Sequence, residues 1–184
     1  MKISLSHVPH ISNKIAVDLL ASKLVVMTHG LDPVVAEATK VLEYSLKQER
    51  ELEEKVKDII YDNEDEIDFY QADDRQLFFM IKKKLAPEFG VILSYEERYS
   101  DIAHKILDAI YEEDLMAYDI DENRLKNIIY NAITSFIASN EEIQDIVYEK
   151  MRSFRDKFTP GTDEYEIRFE KLYREELTRR GLSS

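Results

Sequence analysis

Apolar residues recur along this chain at helical spacing, and the pattern of the first half returns in the second half after a constant interval. Each later position lies 91 residues beyond its counterpart. The clearest pairs are Ile11 with Ile102, Ile15 with Ile106, Leu24 with Leu115, Leu52 with Ile143 and Val56 with Val147. Recurrence at a fixed interval is typical of duplicated structural units. The sequence therefore predicts an all-α protein of two tandem similar helical units, residues 1–90 and 91–184, each with a short helix, a long helix and a closing helix.

The first unit shows a clear start for its long helix. Asp32 is a favourable N-cap, and Pro33 suits the first helical position because its missing N–H would have had no partner there. The spacing of the following residues predicts one unbroken helix from Pro33 to about Ile60. The other predicted elements of this unit are a short helix over 6–23, an extended run at 25–27, an acidic linker over 61–72 and a closing helix over 73–86.

The second unit begins at a predicted capping box formed by Ser94 and Glu97. Asp121 is expected to cap the second long helix, and a last amphipathic helix is predicted over 163–180. The extended runs of the two units are expected to form at most a minor sheet.

Each long helix carries one polar residue where its stripe requires an apolar one. These residues are Glu49 and Asn140, which occupy corresponding positions. The sequence leaves three explanations open: a water-filled kink, a pairing contact, or the point at which the helix leaves its core.

Composition narrows the class of protein. The chain has 184 residues with four glycines, four prolines and no cysteine. Sparse turn residues argue against a β-sandwich, and the absence of thiols excludes a disulfide framework and thiolate zinc sites. No window approaches the roughly 20 apolar residues that span a bilayer, and the first residues do not resemble a signal peptide. We therefore expect a cytoplasmic protein with no membrane partner.

The charge is strongly acidic and unevenly distributed. Of the formal net charge of −13, a local −7 falls in residues 43–68, which hold eleven acids and four bases. Because phosphate contacts require lysine and arginine, this balance opposes nucleic-acid binding, and no nucleic-acid partner is expected. Lys82, Lys83 and Lys84 could suggest an RNA patch beside nearby phenylalanines, but on a helix they fan across about 200° and favour a solvated face.

Several sequence segments resemble a known bacterial family. They are 102–108 (Ile-Ala-His-Lys-Ile-Leu-Asp), 113–115 (Glu-Asp-Leu), 173–181 (Tyr-Arg-Glu-Glu-Leu-Thr-Arg-Arg-Gly) and, in the first unit, 7–11 (His-Val-Pro-His-Ile). Over residues 93–181 the chain resembles the family catalogued as domain of unknown function 507, and the first unit looks like the amino-terminal half of its two-unit members. The resemblance implies a helical bacterial protein without an assigned activity, so no catalytic residue is carried over from it.

No motif in the chain indicates a reaction. Histidines are the natural first candidates for metal ligands, and Asp101, His104 and Asp108 lie on one helix face, but the Glu-x-x-His pairs of a helical di-iron site are missing. EF-hand loops, nucleophile elbows and phosphate-binding glycine loops are also missing. The sequence therefore predicts no catalytic, cofactor-binding or metal-binding residue. The histidines of the chain are His7, His10, His29 and His104.

The long helices exceed what one small unit can cover, which favours a surface for another macromolecule. The leading hypothesis is a protein–protein interaction or scaffold module without catalytic activity, whose protein partner is not identified by the sequence and whose self-association stays open. Six residues are predicted as partner contacts: Glu51, Glu53, Glu54, Asp58, Tyr95 and Tyr99.

Two other functions stay open. The acidic region could imitate a polyanion and occupy a nucleic-acid-binding protein, and its binding would then depend steeply on salt. A metal-dependent enzyme with a site assembled from His and Asp or Glu in three dimensions is the third hypothesis.

Overall fold

The structure is a computed structural model that describes residues 3–63, 73–154 and 158–181. It is mostly helical, as the apolar pattern predicts. A short 3-10 helix at Leu5–His7 precedes the regular elements. These are α1 (Val8–Ala21), β1 (Val25–Met27), α2 (Leu31–Asp62), α3 (Asp74–Leu85), α4 (Tyr95–Glu112), β2 (Met116–Tyr118), α5 (Glu122–Ser153) and α6 (Asp163–Arg179).

The helix ends follow local capping chemistry. Ser94 accepts from the Glu97 backbone N–H at 3.4 Å, Asp121 accepts from the Asn123 N–H at 2.7 Å, and Asp73 caps α3. Such side-chain acceptors satisfy backbone donors that have no partner inside the helix.

Two predicted boundaries were wrong by a few residues. The long helix α2 begins at Leu31, and its N-cap is Gly30 with φ 81°, a left-handed conformation that favours glycine. Asp32 instead lies in the first turn, where its carboxylate faces the positive end of the helix dipole. The helix also continues to Asp62, into the predicted linker, of which residues 64–72 lie outside the described residues.

The interval of 91 residues reappears in the element boundaries. Adding 91 to the first and last residue numbers of β1 and α2 gives those of β2 and α5. The two strands pair antiparallel with Val26 opposite Ala117, two residues that are themselves 91 apart. This register is what a local two-fold relation between the halves requires. Assignment of residues 1–90 and 91–184 as separate repeat units stays a prediction.

The main apolar core takes residues from both halves of the chain. Ile11 and Ile15 of α1 belong to one cluster with Leu42 of α2, Ile106 of α4 and Phe136 of α5. We call this cluster the central core. Because side chains from both halves pack in the same cluster, burial of their apolar area stabilises the two halves together.

Both long helices extend beyond the central core. The end of α2 beyond Glu49 packs with α3 around Leu52 and Val56, and we call this pair the first arm. The end of α5 beyond Asn140 packs with α6 around Ile143, Val147 and Leu177, and this pair is the second arm. Among the described helices, none combines the length and the apolar character needed to cross a lipid bilayer.

Candidate functional site: two polar joints

In each long helix, the polar residue in the apolar stripe lies where an arm leaves the central core. We call the group of side chains that meet at this residue a joint, the first at Glu49 and the second at Asn140. Glu49 is only 3% exposed and separates the central-core part of α2 from Leu52 in the first arm. Asn140 is 1% exposed and separates the central-core part of α5 from Ile143 in the second arm. Of the three explanations left open by the sequence, the structure shows a pairing contact at the point where the helix leaves its core.

The first joint consists of four charged side chains from three helices. Arg98 Nη1 of α4 lies 2.7 Å from Glu49 Oε2, and Lys82 Nζ of α3 donates to Glu49 Oε1 at 3.3 Å and to Glu53 Oε1 at 2.7 Å. Arg98 also donates from Nη2 to the Ser45 carbonyl at 2.9 Å. A buried carboxylate is tolerated only when it is paired and hydrogen-bonded, and this arrangement provides both.

The surroundings of Lys82 in the first joint favour its charged form. Burial alone would lower the pKa of Lys82, but the hydrogen bond to Glu53 and the charge of Glu49 outweigh it, so the net shift is upward. Lys82 therefore keeps its ion pairs wherever the carboxylates are ionised and the pH lies below its own raised pKa.

The second joint consists of neutral groups. Asn140 Nδ2 lies 3.3 Å from His7 Nε2, and the Tyr173 hydroxyl of α6 donates to Asn140 Oδ1. The His7 ring also contacts the Phe136 ring, with centroids 5.8 Å apart. His7 precedes α1, so this joint links the start of the first half to both helices of the second arm.

The two joints correspond residue by residue. Glu49 and Asn140, His7 and Arg98, and Lys82 and Tyr173 are each 91 residues apart. In each joint, the long helix meets the start of a short helix from the other half and the closing helix of its own arm. The arrangement of these three positions is thus shared, while the first joint has charged side chains there and the second has neutral ones.

The sequence pattern identified the centre of each joint but missed its partners. Arg98, Lys82, His7 and Tyr173 were not predicted to meet Glu49 or Asn140. A usable signal was present, because adding 91 to His7 and to Lys82 gives Arg98 and Tyr173.

Both ring nitrogens of His7 have a polar neighbour in this joint. Ser4 donates its backbone N–H to His7 Nδ1 at 3.2 Å, and the Asn140 amide lies at Nε2. Burial lowers the pKa of His7 from its ordinary value of 6.5, and the neighbouring His10 lowers it further. A protonated ring would carry an N–H on Nδ1, facing the Ser4 N–H donor, so the neutral ring fits this joint.

We expect the protein to lose stability as the pH falls below 6.5, because His7 then binds a proton in the unfolded chain before it does so in the folded one. The contribution is fully present above pH 6.5 and is lost as the pH falls towards the lowered pKa of the folded state. Urea unfolding between pH 5 and pH 7 measures this slope. His7→Gln should flatten it.

The matched control for this measurement is His29→Gln. His29 is exposed and contacts only its neighbour Thr28, at 3.0 Å, among the contacts in the described part of the chain. This variant should retain the slope of the wild-type protein. An unchanged slope in His7→Gln would show that the second joint does not control the acid response.

The structure does not bring the six predicted contact residues onto one surface. Glu51, Glu54 and Asp58 are exposed along the outer side of α2. Glu53 turns inward to Lys82. At α4, Tyr95 is partly exposed and its ring stacks on that of Tyr99, with centroids 6.0 Å apart.

Tyr99 is 6% exposed and belongs to the central core. Burial, followed by the proximity of Tyr95, raises the pKa of its hydroxyl to about 12. The ring is therefore a packing element and is not presented to a partner.

Two of the candidate metal ligands on α4 contact each other, and the third pairs with a lysine. His104 Nε2 lies 3.3 Å from Asp108, and Lys105 lies 2.8 Å from Asp101. Across residues 3–63, 73–154 and 158–181, no three His, Cys, Asp or Glu side chains form a group suited to hold a metal ion. The hypothesis of a metal-dependent enzyme stays a prediction.

Comparison with known proteins gives one family. The family described as "Protein of unknown function (DUF507)" matches residues 1–182, which extends the resemblance seen in the second half over nearly the whole chain. No curated protein matches the sequence.

Proposed function

We propose that this chain, which belongs to the family of proteins of unknown function DUF507, is a protein-interaction module whose arms contact another protein. The observation that carries the proposal is the extension of each long helix beyond the central core. From Glu49 to Asp62, α2 continues for about 20 Å at about 1.5 Å per residue, and its apolar side packs on α3 and on the segment that follows α3.

The outer side of the first arm offers charged groups to such a partner. Glu51, Glu54 and Asp58 are exposed there, and the nearest cations, Lys47 and Arg50, pair with Glu51 and Glu54 at 3.7 and 3.9 Å. Exposed pairs of this kind are weak, so they exchange readily for contacts with another protein.

The same pairs bear on the polyanion hypothesis. A mimic of nucleic acid needs a dense row of unpaired anions, whereas Lys47 and Arg50 interrupt the row on this helix. Mimicry of nucleic acid stays a prediction. It requires a binding affinity that falls much more steeply with salt concentration than that of an ordinary protein interface.

Affinity purification from native cells at physiological salt tests the proposed function. We expect the wild-type protein to recover a partner, and the triple variant Glu51→Gln, Glu54→Gln, Asp58→Asn to recover about tenfold less of it, which corresponds to ~1.4 kcal/mol. Removing three rim charges chiefly slows association, so the loss should be largest at low salt.

The control removes three exposed acids from the central helix α4 in the triple variant Glu96→Gln, Asp108→Asn, Glu112→Gln. It makes the same change in net charge and should leave recovery unchanged. Recovery of no partner by the wild-type protein, or an equal loss in both triple variants, would argue against contact through the first arm.

A further inference from the structure

The outer side of α3 exposes two large apolar residues next to each other. Phe79 is 57% exposed and Met80 is 69% exposed. The opposite side of the same helix packs on α2 through Phe78, Ile81 and Leu85. We call the outer side the α3 outer face. Its exposed residues are Arg75, Gln76, Phe79, Met80, Lys83 and Lys84.

This face is basic in a protein of net charge −13. Among the side chains that the structure describes, which do not include those of Asp74 and of residues 64–72, no carboxylate pairs with Arg75, Lys83 or Lys84 within 4 Å. Lys82, by contrast, turns inward to the first joint. The three remaining cations therefore lie around Phe79 and Met80, unpaired with any carboxylate whose side chain the structure describes.

We propose that the α3 outer face binds an acidic amphipathic segment of a partner protein, with apolar side chains of that segment on Phe79 and Met80 and its carboxylates on the three cations. This inference rests on the proposed function and names the chemistry of the partner. Phe, Met and Arg are enriched at interfaces, where an apolar centre with a charged rim is the common arrangement. Residues 75–84 span about 14 Å, which suits a helix of two to three turns.

Charge complementarity selects this occupant over the others. A second copy seated face to face would bring six cations together, which opposes a symmetric dimer through this surface. Nucleic acids and anionic membranes carry dense negative charge, and the net charge of the whole protein repels both at long range. A short acidic segment can contact the three cations while little of it lies near the rest of the acidic protein surface. It therefore meets less of this long-range repulsion.

Site-specific photo-crosslinking in the source cell tests the inference. The full-length protein carries p-benzoylphenylalanine in place of Phe79, which retains an aromatic ring, and mass spectrometry identifies the attached segment. We expect a segment of another protein that has a net negative charge and large apolar residues at helical spacing. Adding Lys83→Glu and Lys84→Glu should lower the crosslink yield by about tenfold or more, because like charges then face each other.

Two matched probes separate this inference from the proposed function. The same crosslinker in place of the exposed residue Glu51 reports on the acidic side of the first arm, and in place of the exposed Ile167 it reports on the second arm. Crosslinks at position 51 without any at position 79 would overturn the inference while supporting the proposed function. Attachment at position 79 to RNA, lipid, a basic segment or any part of this chain would also overturn it.

Discussion

Replacing Glu49 with alanine should lower the free energy of unfolding by about 3–5 kcal/mol, because the change leaves the buried guanidinium of Arg98 without its carboxylate. Lys82 would lose one of its two acceptors as well. Removing one partner of a buried pair costs more than the pair contributes, since the remaining charge stays desolvated. Urea denaturation of the two purified proteins measures the difference.

The control is Glu54→Ala on the same helix. Glu54 is exposed and its contact with Arg50 is 3.9 Å long, so we expect a change within about 0.5 kcal/mol. A double variant, Glu49→Leu with Arg98→Met, should lose less stability than Glu49→Ala alone because it removes both charges. If Glu49→Ala were as mild as Glu54→Ala, the first joint would not hold the arm as described.

Replacing Phe136 with alanine should cost about 3–5 kcal/mol as well, but for a different reason. Phe136 is among the largest fully buried side chains, and its ring lies 5.8 Å from that of His7 and 6.1 Å from that of His10. Alanine would leave a cavity between α5 and the start of the first half, which the surrounding side chains fill only in part. Thermal or urea unfolding measures the loss.

Because the central core combines both halves, the Phe136→Ala loss should appear as a single shift of the whole transition. Tyr148→Ala is the control, since Tyr148 lies on the same helix but is partly exposed in the second arm, and about 1 kcal/mol is expected there. Equal losses in the two variants would contradict a central core that stabilises both halves.

The apolar pattern predicted the helices well because each long helix buries apolar side chains at helical spacing along nearly its whole length. The spacing also located Glu49 and Asn140 as exceptions. It could not show what they contact, because a chain with 25 lysines and arginines offers many candidate partners for one buried carboxylate. Only the packing of α3 and α4 against α2 selects Lys82 and Arg98.

Two of the predicted contact residues could have been placed inside from their position alone. Tyr99 lies three residues before Ile102 and seven before Ile106, on the buried face of α4. Glu53 lies one turn after Glu49, on the side of α2 that faces Lys82. For both residues, the helical period was a better guide to burial than the hypothesis of a partner contact.

Amide hydrogen exchange of the full wild-type chain tests most directly whether one shared core carries two separable arms. We predict that the backbone amides of residues 34–42 and 129–137, in different halves, exchange through the same opening, the one with the highest free energy. The amides of the two arms should exchange through separate openings of lower free energy. Uniform protection along each long helix, with residues 1–90 and 91–184 opening as two independent units, would contradict it.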